Sequence, residues 1–304
     1  MNRRINMFFR FLTISGVLVS GALANNWGQF DEFYFKKPAQ AGGVTVTQLV
    51  WEAFAGFPAT VRLGSCGTYS NKLYYIGSAT GSDTATNAHV FDGTAWTYTK
   101  GVVALAGANA TALHNGLLWE IAISQGFAWN GTDWLTTNNA GAVALPALGE
   151  VTGTLYCMGG GRTDIYRFDE TNWVDTGFDV PIVGNYSGGF VISNKLYYIP
   201  SYSAGYLTNV YSFDGATVAA VAGLPHAQTW MSPAAAGGNG YWAGGSDSGN
   251  MTNVLRFNGT VWTYEAGLPI AMYQTAVGVL GDYIYVVGGA MTNVYRSKWI
   301  GAPE

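Results

Sequence analysis

TNVYSFDG, residues 208–215, alternates apolar and polar side chains as a half-buried strand does, and Asp214-Gly215 then turns the chain back on itself. The phrase returns as TNAHVFDG from Thr86, SQGFAWNG from Ser124, TDIYRFDE from Thr163, TNVLRFNG from Thr252 and TNVYRSKW from Thr292. Successive starts lie 38, 39, 45, 44 and 40 residues apart, the period of architectures in which each repeat is one small antiparallel sheet. Ten residues after the start of the phrase stand Trp96, Trp134, Trp173 and Trp262, with Val218 in the fourth repeat. That offset predicts a hairpin whose second strand opens on a bulky apolar residue.

Ahead of each phrase runs a second string: NKLYYIG from Asn71, NGLLWEI from Asn115, GTLYCMGG from Gly153, NKLYYIP from Asn194, NGYWAGG from Asn239 and GDYIYVVGG from Gly281. It reads as a turn pair and a buried strand, closed in several repeats by glycine where the backbone packs closely or takes a positive φ. The sixth repeat lacks its last strand, because ten residues beyond Thr292 is Ala302. The start of the chain offers a replacement: Trp51 precedes Phe57-Pro58 by six residues, as Trp262 precedes Leu268-Pro269. A segment from about Val44 to Phe57 is therefore expected to complete the last sheet and leave no open edge. The fold expected is all-β, a six-bladed β-propeller of four-stranded antiparallel blades over residues 44–304, closed by an N-terminal strand.

The glycines after an apolar strand, the aromatic in the next strand and the Trp at fixed offset resemble the kelch repeat, as in kelch proteins and the galactose-oxidase propeller. The resemblance covers roughly residues 44–299, with full diglycines at Gly159-Gly160, Gly244-Gly245 and Gly288-Gly289. Gly77-Ser78, Ile121-Ala122 and Pro200-Ser201 stand at the other three places.

Composition narrows the function. Charged residues are 11% of the 304, hydrophobic residues 49%, and the formal net charge is −4 with no basic stripe, so phosphate-backbone binding is disfavoured. Such a neutral, Thr-, Ser- and Asn-rich surface suits contact with sugars or proteins. Residues 1–24 read as an export signal, with Arg3, Arg4 and Arg10 before an uncharged run and Ala22-Leu23-Ala24 at the cleavage positions. Its removal leaves 11 basic against 18 acidic side chains, and an anchor retained in a larger assembly such as a virion is the alternative. The fourteen residues of that run are too few to span a bilayer. Residues 25–43 crowd Trp27, Phe30, Phe33, Tyr34 and Phe35 ahead of a Lys-Lys-Pro and an Ala/Gly stretch, and they read as a tether docking on a protein partner.

No cofactor is expected. Cys66 and Cys157 fall on strands of different blades, too far apart to bridge, and neither they nor His89, His114 and His226 show metal-ligand spacing. The resemblance to galactose oxidase would imply copper held by two histidines and two tyrosines, which these three dispersed histidines do not supply. Sialidase Asp-box turns are matched only by the opening of Ser246-Asp247-Ser248-Gly249. Resemblance to kelch-type sialic acid mutarotases, exported six-bladed propellers, implies an Arg and an acid near a central funnel, for which Arg62, Arg162 and Glu120 are the candidates. A stronger ligand site is expected on the long polar loops between second and third strands. There Asp83, Tyr202, Tyr206 and Asp247 are joined by His226, Trp230 and Tyr273 from neighbouring connections, offering aromatic platforms with a few orienting polar groups. The reading is a binding or structural propeller displayed outside the cytoplasm, as a surface head, adhesin or virion decoration protein. The alternative is an exported sugar-processing enzyme.

Overall fold

The computed structural model describes residues 45–79, 84–85, 87–101, 105–106, 109–122, 125–138, 140 and 145–303. The expected export segment 1–24, the tether 25–43 and Asp83 lie outside the described residues. Six four-stranded antiparallel blades form a ring, and the described residues contain no helix, hence none long and apolar enough to cross a membrane.

Each blade runs from an inner strand on the central channel to an outer strand on the rim. Blade one is Val61–Tyr69, Lys72–Ala79, Asn87–Phe91 and Trp96–Thr99, and blade four is Gly188–Ile192, Lys195–Ile199, Tyr211–Phe213 and Val218–Ala220. The inner strands of blades two, three, five and six are Ala110–His114, Ala147–Val151, Ala234–Ala236 and Thr275–Leu280. Outer strands open where the Trp offset places them, at Trp96, Trp134, Trp173, Val218 and Trp262.

The hairpin turns before those strands explain the repeated Asp or Asn. The Oδ1 atoms of Asp92, Asn130, Asp169, Asp214 and Asn258 each accept two backbone N–H bonds from residues two and three positions on, at 2.7–3.1 Å. These bonds hold the Asp92, Asp169 and Asp214 carboxyls below their ordinary pKa. The next residue needs a left-handed φ, 95–100° at the four glycines, and Glu170 adopts 73° in the one turn without glycine.

The ring closes as expected. Glu52–Phe54 pairs antiparallel with Val294–Lys298, Glu52 opposite Arg296 and Phe54 opposite Val294, and becomes the outer strand of blade six. Trp51 behaves as a blade tryptophan: its indole N–H donates to Ala266 O at 2.7 Å, as Trp134 donates to Lys100 O and Trp262 to Ala222 O in the preceding blade. The phrase-opening threonine has one role in four blades. Its carbonyl accepts the N–H of a buried apolar residue that precedes a proline: Val180 to Thr163, Leu224 to Thr208, Leu268 to Thr252 and Phe57 to Thr292. Arg296 seals the seam, its Nε 2.5 Å from Glu52 Oε1 and its guanidinium over the Phe54 and Tyr283 rings.

The core is not one mass but a set of clusters between adjacent blades, each mixing aromatic and aliphatic side chains from both sheets. Around the channel, Thr68 donates to Val279 O and Thr111 to Cys66 O, tying the inner strands of blades six, one and two together. Cys66 and Cys157 are both free and buried, and burial pushes the Cys157 thiol up to about 12.

Candidate functional site

The face carrying the connections from second to third strands also carries those from one blade's outer strand to the next blade's inner strand. At or just before the start of five inner strands the backbone turns left-handed. Leu63, Leu145, Tyr186, Trp230 and Gln274 occupy equivalent positions in five blades, each two residues before a small residue of the channel wall, and all have left-handed φ of 51–65°. None is glycine, so each position carries backbone strain of roughly 1–3 kcal/mol that the surrounding packing must offset. Leu63, Leu145, Trp230 and Gln274 meet around a void of about 150 Å³ that admits no water-sized sphere. Gln274 is nine-tenths buried there, with its Oε1 unbonded among the described residues.

Between blades four and five this crown extends outward as a row of rings. Trp230 stacks on Tyr186 with centroids 3.5 Å apart and planes 24° from parallel; Tyr186 lies 6.5 Å from Tyr202, and Tyr202 5.6 Å from Tyr206 edge-on. Tyr202 and Tyr206 are 37% and 45% exposed. Their loop is held by Asn185 N to Tyr202 O at 2.8 Å and by Leu207 N to Ser201 O at 3.0 Å. The sister loop of blade five repeats that geometry, with Met251 N to Gly245 O at 3.0 Å and Thr229 and Ser246 exchanging both backbone bonds. It brings Asp247 to His226, Oδ2 to Nε2 at 2.6 Å, with both side chains part-exposed.

Of the seven ligand-site residues expected, the structure thus joins Trp230, Tyr202 and Tyr206 in one row and pairs His226 with Asp247. Tyr273 is half-buried on the connection into blade six and makes no ring contact with them. Tyr186, which links Trp230 to the tyrosine loop, was not singled out from sequence; its offset before Gly188, equal to that of Trp230 before Ser232, is the signal that finds it.

The expected catalytic alternatives are dispersed. Glu120, on the second strand of blade two, is fully buried and accepts the Ser65 hydroxyl at 3.1 Å, with the Asn109 amide beside it. Burial raises its carboxyl pKa well above the ordinary value, outweighing the Ser65 hydroxyl and the neighbouring Asn109 amide, which act the other way. Arg62 lies three residues ahead of Ser65 on the same inner strand and is half-buried. Arg162 lies in the connection between Thr154–Met158 and Asp164–Phe168, donating to Tyr166 Oη at 3.2 Å and Ala140 O at 3.4 Å. Among the described residues no group of three or more His, Cys, Asp or Glu side chains is arranged to hold a metal ion.

No protein-family model and no curated protein matches the chain. Among solved structures 420 chains match, so the architecture is widely shared and does not single out an activity. One of them is the structure of YjhT, which superposes with a TM-score of 0.65 over 80% of this chain and 95% of that one, at 12% sequence identity. The likeness is one of fold.

Proposed function

We propose that this kelch-like propeller is a non-enzymatic binding module displayed outside the cytoplasm, and that it takes a carbohydrate on the loop face of blades four and five. The observation that carries the reading is the row Trp230–Tyr186–Tyr202–Tyr206 with the His226–Asp247 pair on the adjoining loop. Exposed aromatic faces accept the apolar faces of sugar rings, and a part-exposed His–Asp pair offers both donor and acceptor to hydroxyls. Residues 25–43, with their five aromatic side chains, would tie the ring to a surface or a virion as its head or decoration.

The test is calorimetric titration of the chain against a panel of neutral oligosaccharides, with an extended peptide as the competing ligand class. Tyr202→Ala and Tyr206→Ala together are expected to weaken the best oligosaccharide at least about tenfold, since each ring contact is worth about 1 kcal/mol. Absence of saturable sugar binding, or binding indifferent to both tyrosines, would overturn the reading.

A second reading, a sugar-processing enzyme resembling kelch-type mutarotases, draws support from Glu120, a carboxyl whose pKa burial raises and which accepts the hydroxyl of Ser65 from the inner strand that also carries Arg62. It requires the intact protein to speed anomeric interconversion of a sialic acid, and Glu120→Gln and Arg62→Ala to abolish that acceleration. A rate equal to the spontaneous one removes it.

A further inference from the structure

The opposite end of the channel holds a different kind of space. Inner strands of all six blades enclose a chamber of about 530 Å³, within the size range of small-molecule sites. It opens beside the hairpin turns that follow the inner strands, where Leu113 is 53% exposed and the Glu150 side chain 41%. The crown residues Leu63, Leu145, Trp230 and Gln274 line none of it.

The side chains of its walls are poor in hydrogen-bonding groups. Ala, Leu, Val, Pro, Gly and Phe190 make up most of the lining, and the two threonines, Thr68 and Thr111, already donate their hydroxyls to backbone carbonyls. Among the lining residues described, Glu150 is the one carboxylate, and burial keeps the nearby Cys66 thiol protonated. Glu150 is also held in place: the buried His114 ring lies with Nδ1 2.8 Å from Oε2, leaving Oε1 without a hydrogen bond among the described residues. Behind His114, Glu170 approaches its Nε2 at 3.5 Å and is itself fixed by Asn115 Nδ2 at 2.9 Å from both carboxylate oxygens.

We propose that this chamber is a second binding site, for a small organic ammonium ion whose apolar body fills the channel and whose cationic head rests against Glu150. Charge complementarity selects that occupant. An anion meets Glu150 with Glu170 behind it, and a polyhydroxylated sugar finds few side-chain partners for its hydroxyls along the walls. A cation with an aliphatic or aromatic body loses little on entering, gains area burial along the walls, and finds the Glu150 carboxyl group at the mouth. The site is separate from the loop-face row and stands or falls independently of it.

The experiment titrates the intact chain with benzyltrimethylammonium, with benzyl alcohol as the uncharged control of similar body. Saturable binding is expected, at least about tenfold tighter for the cation, with that preference falling as salt is raised. Glu150→Gln should abolish the preference while benzyl alcohol binding persists, Ala234→Phe should block both probes by filling the chamber, and the Tyr202→Ala, Tyr206→Ala double variant should change neither. Should Glu150→Gln fail to fold, the salt dependence in the unaltered protein carries the same information. No saturable cation binding, a preference insensitive to both salt and Glu150→Gln, or loss in the tyrosine variant would each overturn the proposal.

Discussion

Blades one and four share the phrase Asn-Lys-Leu-Tyr-Tyr-Ile, at 71–76 and 194–199, and bury its second tyrosine completely in both, yet the two hydroxyls meet different chemistry. Tyr198 is satisfied: its oxygen takes the Gly184 N–H at 3.1 Å and lies 3.4 Å from both Gly184 O and the Ser187 hydroxyl. Burial and those bonds together leave its pKa pushed up to about 12. Tyr75 has no hydrogen-bond partner among the described residues. It is clasped by glycines instead, since a Cβ at Gly64 or Gly77 would come within 2.4 Å of its ring or hydroxyl. Burial and the neighbouring Cys66 and Glu120 drive its pKa well up. The same six residues thus make the same strand, while the connection that covers the strand's end sets the chemistry. In blade four that connection, 180–187, also carries Tyr186 into the aromatic row, whereas beside Tyr75 the buried Glu120 accepts the hydroxyl of Ser65.

The sharpest break of this comparison lies at the seam on which blade one leans. A chain beginning at Ala59 loses the strand Glu52–Phe54 and the buried Leu49 and Phe57, the latter ringed by Tyr75, His89 and Trp96. It should aggregate or melt at least about 10 °C lower, because two large side chains leave the core and a sheet edge opens. Blade four, across the ring, should exchange its amides later than blade one as the protein opens. Undiminished solubility and melting temperature would disprove the closure.

Glu120 gives the next effect. The folded protein holds this proton more tightly than the unfolded chain, so the stability it contributes is complete below the ordinary carboxyl pKa near 4.5 and is lost as pH climbs toward the raised value. Over that window the loss approaches about 1.4 kcal/mol per pH unit. Urea unfolding of the unaltered protein and of Glu120→Gln at several pH values should therefore diverge, the variant gaining on the parent as pH rises. A difference that stays constant with pH would mean that Glu120 is solvated.

The two tyrosines themselves supply the smallest and most discriminating pair. Tyr198→Phe strands the Gly184 N–H and should cost about 1–3 kcal/mol, whereas Tyr75→Phe removes a hydroxyl that bonds nothing and should fall within about 0.5 kcal/mol of neutral. Equal losses in the two variants would show that Tyr75 is hydrogen-bonded in solution.

The fold is legible in the sequence because its signals repeat. The Trp offset marks the start of an outer strand in every complete blade, and Trp51 with Phe57-Pro58 marks the donated strand; the Trp51, Trp134 and Trp262 indoles anchor to the backbone of the preceding blade. The site is legible only in part. Loop length and aromatic content point to Tyr202, Tyr206 and Trp230, but the link through Tyr186 depends on a left-handed backbone that no residue type there announces. Glu120 sits at the ring position held by Tyr75, Cys157, Tyr198, Trp242 and Val286 in the other blades. Its strand is plain from sequence, while its enclosure joins Ser65 of the facing blade to Asn109 just ahead of its own blade's inner strand.

The central claim is that ligand chemistry lies on the loops of blades four and five and not around the buried Glu120 beside Tyr75. Hydrogen–deuterium exchange of the intact chain, with and without the tightest-binding oligosaccharide, tests this directly. The account predicts slowed exchange in 184–187, 201–208, 226–230 and 246–251, with the amides around Ser65, Asn109 and Glu120 unchanged. Protection confined to those last residues, with the blade four and five loops unaffected, would contradict it.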